Sequence, residues 1–195
     1  MFRGLFAALN VRKEEERPVS LLLITGFFMG IFLACFQVGA ETLFLNRLSH
    51  LLEEALLISG FLGIVTTALF SFAQNRISFS ALSIINLVLV GIVSLLLFFS
   101  LNYLDASYQD MVIFVMFSML GPITAVLLLG YWGIFGRIFD LRQSKRIIGW
   151  IDSGQLIAAL ITFFVIPLTW NIIGKTDNIF VVGAVSIFLS AIFFS

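Results

Sequence analysis

PVSLLLITGFFMGIFLACFQVGAETLFL, residues 18–45, carries a single charged side chain, Glu41, in 28 positions. At 1.5 Å per residue such a run spans roughly 42 Å as a helix, more than the ~30 Å hydrocarbon core of a bilayer. Its apolar residues do not alternate with polar ones, so it does not read as a barrel strand. The rest of the chain agrees. Of 195 residues 61% are hydrophobic and 11% charged, with a mean hydropathy of +1.12. A soluble domain carries about 25% charged residues because its surface meets water. The composition therefore excludes an ordinary soluble enzyme, a disordered regulator and a disulfide scaffold, and it indicates an integral membrane protein.

Working outward, five further apolar runs follow at about residues 55–73, 79–101, 111–135, 147–170 and from 179 onward. The expected architecture is an all-α transmembrane bundle of six helices. Residues 1–17 form a cytoplasmic amphipathic segment, with Phe2, Leu5, Phe6 and Leu9 at helical spacing beside Arg3. Residues 18–195 form the transmembrane domain. The sixth run reaches Ser195 without a polar flank, so the domain is expected to continue beyond it.

The basic residues set an orientation. Arg3, Arg12, Lys13 and Arg17 precede the first run, and Arg76 follows the second. Arg137, Arg142, Lys145 and Arg146 are expected in the connection between the fourth and fifth, whereas the alternate connections hold only Arg47 and Lys175. Positive loops stay cytoplasmic, so the N-terminus is expected inside a multi-pass membrane protein. Net charge is zero, which gives no field for nucleic acid. The bilayer is the first partner the chain implies.

Polar groups within apolar helices are costly to insert and each calls for a role. Gln37 and Glu41 stand four apart, on one helix face, with Ala34, Gly30 and Gly26 behind them. The two glycines make a small-xxx-small pattern suited to close helix packing. Gln37 and Glu41, then Asn86 and Gln155, are the candidate cavity residues. Arg76, Asp140, Lys145, Arg146 and Asp152 are candidates for a cytoplasmic gate or loop network. Asp152 reads first as an acid one turn into the fifth helix, offsetting its dipole and pairing with a nearby Arg or Lys, and only second as a gate residue. Gly121-Pro122 predicts a kink in the fourth run. Tyr131, Trp132, Trp150 and Trp170 fit an interfacial belt, and residues 48–57 a bent connection along the outer interface. One His and one Cys, without ligand spacing, predict no metal site. No nucleotide loop, zinc-protease helix or nucleophile elbow is present, so no enzyme activity, catalytic residue or cofactor is expected.

Two stretches carry a family resemblance. Residues 131–156, YWGIFGRIFDLRQSKRIIGWIDSGQL, contain Tyr131-Trp132-Gly133, then Phe139-Asp140, Lys145-Arg146, Gly149 and Gly154. With RKEEERPVSLLLITGFFMGIFLACF at residues 12–36, they resemble the bacterial relatives of the ATP/ADP translocases, nucleotide transporters of the major facilitator superfamily. The resemblance implies the N-terminal six-helix half of a facilitator fold in a bacterial inner (plasma) membrane. It further implies alternating access to a small anionic or nucleotide substrate, and a second six-helix half or a downstream domain as partner. In nucleotide-exchanging members the first helix bears an Arg-Asp-Thr-Lys-Asp-type run. Here residues 37–43 read Gln-Val-Gly-Ala-Glu-Thr-Leu, and both basic residues are missing. Residues 74–78 occupy the place of the superfamily's glycine-acid-arginine loop, with Arg76 the matching residue; it reads first as an arginine that sets the topology, and a pairing with Asp140 across the cytoplasmic face is the alternative. A non-transporting membrane scaffold that keeps the fold and assembles partner proteins is the alternative.

Overall fold

The computed structural model describes residues 12–169, 176 and 178–194. Among these the chain is helical, in the order α1 (Glu16–Leu48), a 3-10 turn (Ser49–Leu51), α2 (Leu52–Ala73), α3 (Phe79–Tyr103), α4 (Ala106–Ser118), α5 (Leu120–Ile138), α6 (Leu141–Leu168) and α7 (Asn178–Phe194). Four stretches are long and apolar enough to cross a membrane: Glu16–Ala73, Phe79–Tyr103, Ala106–Ile138 and Leu141–Leu168. Asn178–Phe194 is a shorter apolar helix. Large apolar side chains such as Leu57, Ile64, Leu96 and Phe164 stand exposed on the outside. In water a surface of that kind would be an aggregation hazard, whereas in lipid it is the solvent-facing side. The fold is that of a multi-pass membrane bundle. The expected amphipathic helix of residues 1–10, with Trp170 and Lys175, lies outside the described residues.

Several boundaries differ from the sequence reading. The connection expected along residues 48–57 is only the three-residue turn, because Leu52 already begins α2. The fourth apolar run is two helices in one rod, broken at Met119 just ahead of Gly121-Pro122. Pro122 has no N–H to return to the Ser118 carbonyl, which weakens the ladder at that point. The largest shift concerns α6. It begins at Leu141, not near residue 147, because Asp140 caps it: its side chain accepts the Gln143 backbone N–H while its own N–H donates to Gln143 Oε1 at 2.9 Å. Lys145 and Arg146 therefore sit on the helix rather than in a loop. Asp152 is about three turns in, too deep to offset the dipole at the helix start.

Contacts along the helices give their relative directions. Arg47 meets Gln109 and Asp110, Phe44 stacks on Phe117, and Tyr131 reaches Leu22, so α1 runs opposite to the α4–α5 rod. Ser59 meets Gly121, while Gln74 and Arg137 line one cleft, so α2 runs with the rod. Ser83 meets Gly130 and Phe79 meets Gly133, so α3 runs against it. Glu15 meets Arg146 and Leu23 meets Gly154, so α6 runs with α1. Gly39 meets Phe180 and Thr25 meets Ser190, so α7 runs against α1. Counting the rod as one, the six segments alternate in direction.

The packing has a second regularity. The main helix pairs are α1 with α6, α7 and the rod, the rod with α2 and α3, and α3 with α7. Exchanging α1 with the rod, α2 with α6, and α3 with α7 returns the same set. The glycines follow this exchange. Gly30 of α1 seats on the Gln155 carbonyl of α6, and Gly121 of the rod seats on the Ser59 carbonyl of α2. Likewise Gly39 of α1 faces the Phe180 ring near the start of α7, and Gly133 of the rod faces the Phe79 ring at the start of α3. Where no side chain intervenes, helix backbones approach closely, and in lipid that contact is a main source of helix association. The core between them is built from Phe32, Phe36, Phe44, Met116 and Phe180, all nearly inaccessible.

Candidate functional site

An open cleft of about 530 Å³ separates the later half of α1 from the start of α5. Leu33, Phe36, Gln37 and Glu41 form one wall, and Leu120, Gly121, Thr124 and Ala125 the other. The four-residue spacing of Gln37 and Glu41 makes this geometry. Both side chains leave α1 on the same face, and Gln37 Nε2 donates to Glu41 Oε1 at 2.9 Å. That bond fixes the carboxylate while leaving its second oxygen for another donor. The opposite wall is the helix break itself. The Gly121 N–H, among the donors freed where α5 starts, donates to Ser59 Oγ at 3.0 Å. A polar pair thus faces a broken helix across a space within the ~300–1,000 Å³ range of small-molecule pockets. No lysine or arginine lines it.

The other two cavity candidates are placed elsewhere. Asn86 lines an internal void of about 10 Å³ between α1, α3 and α5, beside Thr25 and Tyr131. That is about one water in size and far below a ligand pocket. Gln155 lies on α6, where its backbone carbonyl is the seat for Gly30. Neither joins the wall that holds Gln37 and Glu41.

The gate candidates also separate. Asp140 is used as the α6 cap and makes no ion pair with Arg76, whose guanidinium lies 5.6 Å from the Phe72 ring centroid. Arg146 instead reaches Glu15, at 2.7 Å to Oε1 and 2.5 Å to Oε2, and Glu15 also accepts the Arg12 backbone N–H. Glu15 is 4% exposed and the Arg146 side chain 24%, so this is a largely buried pair joining the start of α1 to α6. Lys145 is exposed near it on the same helix.

Asp152 has no ion pair among the described residues. Tyr131 is not an interfacial aromatic. It is buried against Gly26, and its hydroxyl donates to the Leu22 carbonyl at 2.9 Å.

Glu15 and Tyr131 are the residues that sequence reasoning missed. Glu15 stood in a mixed-charge run that reads as a solvated flank. Tyr131 adjoined a Trp, and only Gly26, 105 residues earlier, marks the space its ring fills. No protein-family model, no curated protein and no solved structure matches the chain.

Proposed function

We propose that the chain crosses the membrane six times, with the Arg76 and Arg137–Arg146 ends cytoplasmic, as half of a facilitator-type transporter related to the nucleotide translocases. The observation that carries this reading is the packing set that survives exchange of the first three segments with the last three. Three-plus-three inverted repeats of this kind build each half of facilitator transporters. Alternating directions support six crossings, since Glu16–Ala73, at 58 residues, is far too long for one. The fifth and sixth crossings are α6 and the shorter α7. The cleft at the Met119–Gly121 break supports transport, because interrupted helices recur at transporter binding sites. Gln37 and Glu41 are the proposed solute contacts, and alternating access is the proposed mechanism.

The cleft offers a carboxylate and an amide, but no cation. A phosphate-bearing substrate would have to take its cationic contacts from elsewhere. That observation also favours the second reading, a scaffold that keeps the fold and assembles partners without moving solute. Uptake of labelled ATP and ADP into proteoliposomes of the purified protein separates the two. Transport predicts uptake above empty vesicles, and a loss of roughly ten- to a hundredfold in Glu41→Gln, the weight of one hydrogen bond to a charged group. Unchanged uptake in that variant would remove Glu41 from the site. Wild-type uptake equal to empty vesicles would favour the scaffold.

A further inference from the structure

A second cleft, of about 710 Å³, continues along the same face of α5 toward its basic end, where α2 forms the other wall. We propose that it binds the phosphate headgroup of an anionic membrane lipid. The inference rests on the membrane reading above and is independent of transport. Thr67 and Ser71 on α2 and Gln74 at its C-terminal cap follow one another at helical spacing and offer hydroxyl and amide donors. Trp132 and Arg137 face them from α5.

The Arg137 guanidinium lies over the Phe79 ring, 3.6 Å from its centroid. A ring holds a cation in place without neutralising it. No carboxylate lines the cleft, and Arg137 has no carboxylate partner among the described residues. A fixed, unpaired guanidinium is suited to bidentate contact with a phosphate. Above it the wall becomes Leu128, Leu129 and Ala125, which is lining for acyl chains rather than for a free ion. Basic pockets between helices on the cytoplasmic side are places where lipid headgroups bind. The neighbouring cleft carries Glu41 on the same groove, so the charge preference belongs to the Arg137 end alone.

Native mass spectrometry of the purified full-length chain tests this, with phosphatidylglycerol, phosphatidylcholine and soluble glycerol phosphate as probes. Phosphatidylglycerol is expected to be retained over phosphatidylcholine. Arg137→Gln is expected to lower that affinity about fivefold, while Arg142→Gln, a basic residue outside the cleft, leaves it within about twofold. Ser71→Trp, which fills the cleft from an exposed position, is expected to reduce binding without removing any charge. Three results would overturn the proposal: full binding by both cleft variants, an equal loss in Arg142→Gln, or displacement of the lipid by glycerol phosphate at matched concentration. The last would assign the site to free phosphate. Failure of the parent protein to retain phosphatidylglycerol, with its uptake intact, would overturn this inference alone.

Discussion

Gly30→Ala and Gly121→Ala are each expected to lower the melting temperature of the detergent-purified protein by about 3–10 °C, while Gly60→Ala leaves it unchanged or raises it. A methyl at Gly30 would run into the Gln155 carbonyl and come within 3.1 Å of the Ala158 methyl. At Gly121 it would lie 2.7 Å from Ser59 Oγ and 2.8 Å from the Ser59 carbonyl oxygen. Backbone atoms of a neighbouring helix cannot swing aside as the tip of a side chain can, so the helices must separate. Overpacking of that kind costs about 1–3 kcal/mol, and each kcal/mol moves the midpoint of a chain this size by about 2–4 °C. Gly60 is exposed on α2 and would meet nothing within 4 Å. There only the better helix propensity of alanine acts, by up to about 1 kcal/mol. Similar losses at Gly30 and Gly121 are what matched roles predict. A neutral result at either would remove it from the set of backbone seats.

The second large effect is expected at the Glu15–Arg146 pair. Arg146→Ala strands a carboxylate that is 4% exposed and should cost about 3–5 kcal/mol, the range for breaking a buried ion pair. Glu15→Ala should cost less. The Arg146 side chain is 24% exposed, and a long arginine can turn its charge toward water. The double replacement Glu15→Leu/Arg146→Met should recover most of the loss, since an apolar pair carries no desolvation penalty. Denaturation midpoints of the three variants check this order. If all three fell within about 1 kcal/mol of the parent, the pair would behave as a surface contact.

What the sequence made legible were the properties carried by composition and short spacing. The helical, membrane-directed character follows from runs such as residues 18–45. The Gln37–Glu41 hydrogen bond follows from an i, i+4 register, and the rod's break follows from Gly121-Pro122. What stayed hidden depended on residues far apart in the chain. Asn86 and Gln155 are polar within apolar helices, as Gln37 is, yet which neighbour faces them is decided by tertiary packing. Asp140 shows a different failure. Asp140-Leu-Arg-Gln143 is a capping pattern, but the basic residues after it have the composition of a loop although they lie inside α6. That single boundary moved Asp152 from the helix start to about three turns along it.

The reading stands or falls on the six alternating crossings, and thiol accessibility measures them directly. In a Cys35→Ser background, single cysteines replace His50, Arg76, Asp105 or Arg142, all exposed positions at helix ends. A membrane-impermeant maleimide applied to intact cells should label His50→Cys and Asp105→Cys, and reach Arg76→Cys and Arg142→Cys only after permeabilisation. Labelling of His50→Cys and Arg76→Cys from the same side, or of Arg142→Cys from outside, would contradict it.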